Sequence, residues 1–357
     1  MTTSQRPGRR EPGLIAAYPD AGPAVHRESA LAQRLLATAG VEVSEAMACG
    51  LGGGIGFMYA VFEYEALPHP LLTFVTQHHP RPWVEEVAEN LGLDVNGRTS
   101  SAARAALAKL DAALAAGTPA LLTVGRAGLP WHENVSPLEA QDPHSVVVAG
   151  RDGDEYLVDD CDESLRRVSP AALAEAWALH RKGRFAVRTL AVPAGGPADL
   201  TAAVQSAVTT AVAHMTGPVL GNAFDVNFGL SGLEKWASEV ADDRTRRGWR
   251  ARFGGGEAFA HAMRRVVDCF TTQYGSRGAT RPLYAEFLRE ADDATPLELG
   301  AAADAADESG RLWEDVVEVA ASAVEPERAF AAIGDLARSL LDVERRLVAL
   351  LGEAVTD

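Results

Sequence analysis

The chain has 357 residues, 47% of them hydrophobic, which is enough for two domains and a sizeable core. Its formal net charge of −16 argues against nucleic acid or an anionic membrane surface as the main partner, because both require clustered Lys and Arg. Three widely spaced cysteines, Cys49, Cys161 and Cys269, suggest neither a disulfide framework nor a C-x-x-C metal knuckle. With no apolar leader and no run of about 18 apolar residues, the expected setting is the cytoplasm.

Residues 1–24 read as a disordered or extended tail. In the segment SALAQRLLATA, residues 29–39, Leu31, Leu35 and Leu36 recur at helical spacing, and Gly40 marks the stop. Ser44 and Glu45 open a short turn into a glycine-rich stretch that runs from Ala48 and Cys49 through Gly52, Gly53 and Gly54 to Phe57. Glycine at this density allows left-handed backbone and close approach of a ligand. No register gives G-x-G-x-x-G, since the sixth position falls on Ile55, Phe57 or Tyr59, and no G-K-[ST] follows. A ligand-shaping loop and a tight turn between a helix and a buried strand both stay open. Strands are expected at 57–64 and 71–76, helices at 83–91 and 100–116, and a buried strand at 120–124.

Asp152-Gly153 between two apolar runs predicts a two-residue hairpin turn. If Arg151 faces Asp154, then Val146 opposes Asp159, and period-2 alternation places His144 and Asp159 on one face as diagonal neighbours, with Asp160 on the other. Ser169 followed by Pro170 opens a helix to Leu179, and a strand over 185–192 closes the region. Residues 194–199 read as a linker, after which alanine-rich helices are expected over 200–216, 229–243, 255–274, 281–291, 296–322 and 326–352. The domains are therefore 25–193 and 200–357.

A histidine held beside a carboxylate is the base and its orienter in a nucleophilic triad, which makes His144 and Asp159 the candidate catalytic pair. The thiol or hydroxyl they would activate is open between Cys49, Cys161 and Ser29. His132 lies in a loop and reads as a surface residue. His78-His79 has no second pair at ligand spacing, so no metal or other cofactor is expected. Arg244, Arg246, Arg247, Arg250 and Arg252 form the densest basic cluster, either a docking patch or a solvated helix end.

Several segments together carry a resemblance: His26 before the first helix, SEAM at 44–47, GLGGGIGF at 50–57, Leu129-Pro130-Trp131 and HSVVVAG at 144–150. They resemble the N-terminal domain of the butirosin biosynthesis protein H family. GLSGL at 229–233, RPLYAEFL at 281–288 and Trp313 resemble the helical domain that commonly follows it. The resemblance implies an α+β, papain-like or C39-peptidase-like domain with an antiparallel sheet, then an all-α domain. It implies transfer of an acyl or aminoacyl group from an acyl carrier protein thioester, or another acyl donor, to a small-molecule amine in natural-product biosynthesis. A homodimer is among the assemblies expected. The family nucleophile is a cysteine directly after the histidine, and here Arg27 follows His26. Either Cys49 or Ser29 takes over, or His144 assists the amine directly, or the protein is a cyclase, an isomerase or a non-catalytic binding protein. On that reading His26, Arg27, Ser29, Gly52, Gly53, Gly54 and Phe57 shape the substrate pocket.

Overall fold

The computed structural model describes residues 11–65, 67–77, 83–133, 135, 143–180, 182, 184–273 and 275–356. In chain order the elements are α1 (Arg27–Thr38), α2 (Glu45–Leu51), β1 (Met58–Phe62), β2 (Leu71–Val75), α3 (Trp83–Asn90), β3 (Asp94–Arg98), α4 (Ala103–Ala115) and β4 (Ala120–Gly125). There follow β5 (Pro143–Asp152), β6 (Glu155–Asp159), β7 (Arg166–Val168), α5 (Pro170–Leu179) and β8 (Val187–Ala191). The helices α6 (Leu200–Thr216), α7 (Gly229–Ala241), α8 (Trp249–Phe253), α9 (Gly256–Asp268), α10 (Arg281–Ala294), α11 (Gly300–Ser322) and α12 (Pro326–Ala354) complete the chain. His78 and His79 lie outside the described residues.

Local chemistry accounts for several boundaries. The Ser44 hydroxyl caps α2 by accepting the Met47 N–H at 2.8 Å, and Ser169 caps α5 through Ala172 with Pro170 at the first helical position. Asp199 caps α6 by accepting from Thr201 and Ala202.

The chain forms two compact units, residues 1–43 with 93–197 and residues 44–92 with 198–357. This differs from a single cut at the 194–199 linker, because the glycine stretch, β1, β2 and α3 cluster with the helices. Periodicity shows where elements begin and end, not which core they join.

The first unit holds a six-stranded sheet in the order β3-β8-β4-β5-β6-β7, with every paired neighbour antiparallel. Leu110 of α4 and Leu173 and Trp177 of α5 are buried in one core with Leu122, Val146, Val148 and Val158 of the sheet. Residues 11–24 are not simply a tail: Leu14 bridges Gly150, and Tyr18 is buried.

In the second unit β1 pairs antiparallel with β2 beside seven helices, α6 to α12, from the C-terminal half. Its centre is a buried ion pair, Arg281 Nε to Glu344 Oε1 at 2.8 Å, in which Arg281 also donates to the carbonyls of Gly56 and Thr76. Ser309 and Trp313 donate to the same carboxylate, so the buried charges are paired and hydrogen-bonded. The described residues contain no helix long and apolar enough to cross a membrane.

Candidate functional site

The hairpin that carries His144 has a different register from the one expected. Asp152 pairs with Glu155, Arg151 with Tyr156 and Gly150 with Leu157, so the turn residues are Gly153 and Asp154, with Gly153 at φ +58°. Beyond a bulge between Val148 and Gly150 the pairs become Val148 with Val158 and Val147 with Asp159. The bulge is held by the N-terminal segment: Ile15 N–H donates to the Ala149 carbonyl and Arg151 N–H to the Gly13 carbonyl, each at 3.0 Å.

A one-residue register change moves every side chain to the other face. Asp160 therefore joins His144, and Asp159 turns away. This corrects the expected His144–Asp159 pair. Asp159 instead accepts from Arg34 Nη1 at 2.7 Å, from the Tyr18 hydroxyl at 2.7 Å and from the Cys161 N–H at 2.9 Å, which fixes the first helix and the N-terminal segment to the end of β6.

Asp160 is the hub of the site. Its side chain is fully buried, and Oδ1 receives His144 Nε2 at 2.8 Å and the Arg27 guanidinium, while Oδ2 receives His132 Nε2 at 2.7 Å and Trp131 Nε1 at 2.6 Å. Burial alone would raise this carboxyl, but the bonds from His132 and His144 and the Arg27 charge outweigh it and hold it well below the usual carboxylate range.

Arg27, the first residue of α1, also donates to the backbone carbonyls of Asp160, at 2.6 Å, and of Ser145. Next to it, burial lifts the Glu28 carboxyl above its usual range against the opposing Arg27 charge and Ser145 hydroxyl.

The two histidines differ in what remains free. His132 Nδ1 accepts from Arg126 Nε at 3.4 Å, so both of its nitrogens are engaged. His144 gives Nε2 to Asp160, and its Nδ1 has no partner among the described residues. Burial, with the Arg27 and His132 charges, lowers His144 to about 4 against the opposing pull of Asp160, so the imidazole is neutral at pH 7. A neutral ring with one nitrogen tied to a carboxylate and the other open can accept a proton.

His132, His144 and Asp160 also bring three metal-ligating atoms within 4.8 Å of one another. The donor set does not fit an ion. Each carboxylate oxygen already accepts two donors, and a cation would have to displace the Arg27 guanidinium from Oδ1 or the Trp131 indole from Oδ2.

No candidate nucleophile is presented to His144 with an activated thiol or hydroxyl. Ser29 is completely buried, with Oγ 2.7 Å from Nδ1 of the buried His26. Cys161 sits at the end of β6 in left-handed backbone, φ +58°, and burial pushes its thiol up to about 12. Cys49, expected as a possible nucleophile, belongs to α2 of the second unit and has no exposed surface.

Gly52, Gly53, Gly54 and Phe57, expected to shape a substrate pocket, are likewise buried in that unit's core. A Cβ at Gly50 would overlap the Phe287 ring, at Gly52 the Trp83 indole and at Gly54 the Tyr284 ring, and Phe57 stacks on Trp313 at 5.6 Å. The glycines are there so that aromatic rings can lie on backbone. In the basic cluster, Arg244, Arg250 and Arg252 face Asp243, Glu327 and Glu239.

Sequence reasoning missed His132, Trp131, Asp160, Arg34 and Tyr18. The adjacent Asp159-Asp160 at a strand end was the available signal, but choosing between the two required knowing of the bulge. Trp131-His132 lies in a loop whose path the sequence does not dictate.

The fold and site define a histidine–aspartate centre at one end of an antiparallel sheet, joined to a helical unit. A family model described as butirosin biosynthesis protein H, N-terminal, matches residues 26–161, and one described as domain of unknown function DUF4872 matches residues 172–351. The chain belongs to this family, with both of its domains present. Among solved structures, a crystal structure described as a C39-like peptidase from Bacillus anthracis is 16% identical, with 50% of this chain and 97% of that chain covered and a TM-score of 0.34. No curated protein gives a significant match to the chain.

Proposed function

We propose that the first unit catalyses acyl transfer in natural-product biosynthesis, moving an acyl or aminoacyl group from a carrier-protein thioester to an amine with no acyl-enzyme intermediate. The observation that carries this reading is the free Nδ1 of a neutral His144 whose Nε2 is held by Asp160 at 2.8 Å, with Arg27 where the family places its thiol. The amine nitrogen attacks the thioester carbonyl, and the N–C bond forms. Nδ1 takes the proton that this nitrogen sheds, the C–S bond breaks, and the departing thiolate takes the proton back. Asp160 orients the ring and stabilises the imidazolium, and the Arg27 charge favours the oxyanion of the tetrahedral intermediate. A positioned base of this kind is worth about 10²–10⁴-fold in rate.

The test is His144→Ala assayed for transfer from an acylated carrier protein to an amine. A fall of at least about 10²-fold is expected; an unchanged rate refutes the assignment. Offering water and amines as competing acceptors separates transfer from hydrolysis.

A second reading is favoured by Arg27 itself, whose guanidinium is committed to Asp160 and Ser145. On that reading the unit binds its ligand without acyl chemistry, or catalyses a cyclisation or isomerisation. Transfer of the acyl group from a carrier-protein thioester to an amine by the wild-type chain, lost in His144→Ala, would exclude it.

A further inference from the structure

The first unit contains a second concavity, separate from the residues around Asp160. It is a cavity of about 200 Å³ lined by Ser100, Trp177, His180, Arg184 and Phe185, among others. Trp177 and Ser100 are both buried, yet Trp177 Nε1 and Ser100 Oγ have no hydrogen-bond partner among the described residues. A buried polar group without a partner costs roughly 1–3 kcal/mol, so two on residues that line one small cavity favour a bound species that accepts from them.

The walls are held in place. Arg184 and Phe185 are consecutive residues in left-handed backbone, at φ +46° and +47°, where neither is a glycine. The Arg184 carbonyl accepts the Ser100 N–H at 3.0 Å, and the Phe185 ring meets the Trp177 ring edge-on at 5.7 Å. Two adjacent strained residues of this kind persist only where the surroundings fix them, and such strain concentrates at ligand clamps.

The chemistry of the lining selects the ligand. An indole N–H only donates, so the guest must present an acceptor; an ammonium would leave Trp177 unsatisfied. Ser100 can donate to the same group. Burial lowers the His180 pKa first, and the charges of Arg188 and Lys182 lower it further; among the described residues no carboxylate acts on it. Arg184 is exposed at the rim and has no ion-pair partner among the described residues. Basic residues are expected after α5, which ends at Leu179, because they complement a helix C-terminus. The unpartnered indole N–H of Trp177, a residue that lines the cavity, is not explained that way. With each water occupying about 30 Å³, the volume suits a guest of a few heavy atoms rather than a long chain.

We infer that this cavity is a binding site for a small oxyanion, a carboxylate or phosphate, with one oxygen on Trp177 Nε1 and Ser100 Oγ and another on the Arg184 guanidinium. The site stands apart from the reading of His144 and does not depend on it.

The test is titration of the full chain, ¹⁵N-labelled at tryptophan, with inorganic phosphate, acetate and acetamide, following the indole N–H resonance assigned by Trp177→Phe. Acetate or phosphate should move that resonance saturably, and the one bound tighter identifies the oxyanion. Acetamide, which has an acceptor but no charge, should bind at least tenfold more weakly. Arg184→Gly, which suits the left-handed backbone, should weaken the anion at least tenfold, and Ser100→Ala should weaken it severalfold. No saturable shift, equal binding of acetamide, or an unchanged affinity in Arg184→Gly overturns the inference. Unchanged dispersion of the other indole resonances shows that each variant is folded.

Discussion

His144 makes the stability of the first unit depend on pH, and its replacement by glutamine isolates that dependence. Its side chain is 13% exposed, and burial with the neighbouring Arg27 and His132 charges lowers its pKa to about 4 in the folded protein. In the unfolded chain it returns to roughly 6.5. A folded pKa below the unfolded one means that the unfolded state binds the proton first, so stability is complete above about pH 6.5 and falls as pH drops towards 4. Between pH 7 and pH 4 the loss attributable to this one ring is about 3 kcal/mol. Below pH 4 the native ring is protonated as well, and the loss levels off. His144→Gln keeps an N–H donor for Asp160 and removes the titration. The opening free energy is read by hydrogen exchange of β5 and β6 peptides, corrected for intrinsic rates, so that the second unit does not contribute. Wild type should lose about 3 kcal/mol more than His144→Gln over this range; equal losses within about 0.5 kcal/mol would refute the placement of a neutral, buried imidazole on Asp160.

Arg27→Cys places a thiol at the first residue of α1, where the helix N-terminus lowers thiol pKa, and it should yield an acyl adduct by intact mass that wild type lacks. No adduct on the variant would show that more than the nucleophile separates this chain from covalent chemistry. Gly54→Ala drives a methyl group into the Tyr284 ring at a left-handed residue, φ +62°, and should cost the second unit about 2–4 kcal/mol, read from urea unfolding followed by hydrogen exchange of α2 and α10 peptides. Cys161, with its thiol pushed up to about 12, should react with a disulfide reagent at pH 7.5 on the order of 10³-fold more slowly than a free thiol; reaction at the free-thiol rate would contradict its burial.

Much of the architecture was legible because it follows from local chemistry. Ser169-Pro170 and the leucine spacing at 31, 35 and 36 set helices that the structure contains, and the runs at 71–76, 120–124 and 144–150 became strands. His144 was legible as a histidine on a strand facing an acidic pair. Its partner was not, because a single bulge residue, held by backbone groups from residues 13–15, decides which carboxylate shares its face. Of the two readings of the glycine stretch, the structure has the tight turn between a helix and a buried strand, and the pocket reading failed for a related reason. Glycine density reports that something lies against the backbone, and aromatic rings from α3 and α10, distant in sequence, satisfy that requirement as well as a ligand would.

The chain passes between the two units at Val43–Ser44, at Gly92–Leu93 and at Pro197–Ala198, so neither unit is a continuous piece of sequence. This has a consequence for synthesis on the ribosome. Residues 44–92 emerge early but must wait for the helices beyond residue 198 before Phe57, Tyr59 and Phe74 can be covered by Trp236, Trp249 and Trp313. A fragment ending near residue 197 would expose that aromatic surface permanently and should be captured by chaperones or aggregate. A permuted gene that moves 44–92 next to the C-terminal helices would let each unit fold from a contiguous stretch.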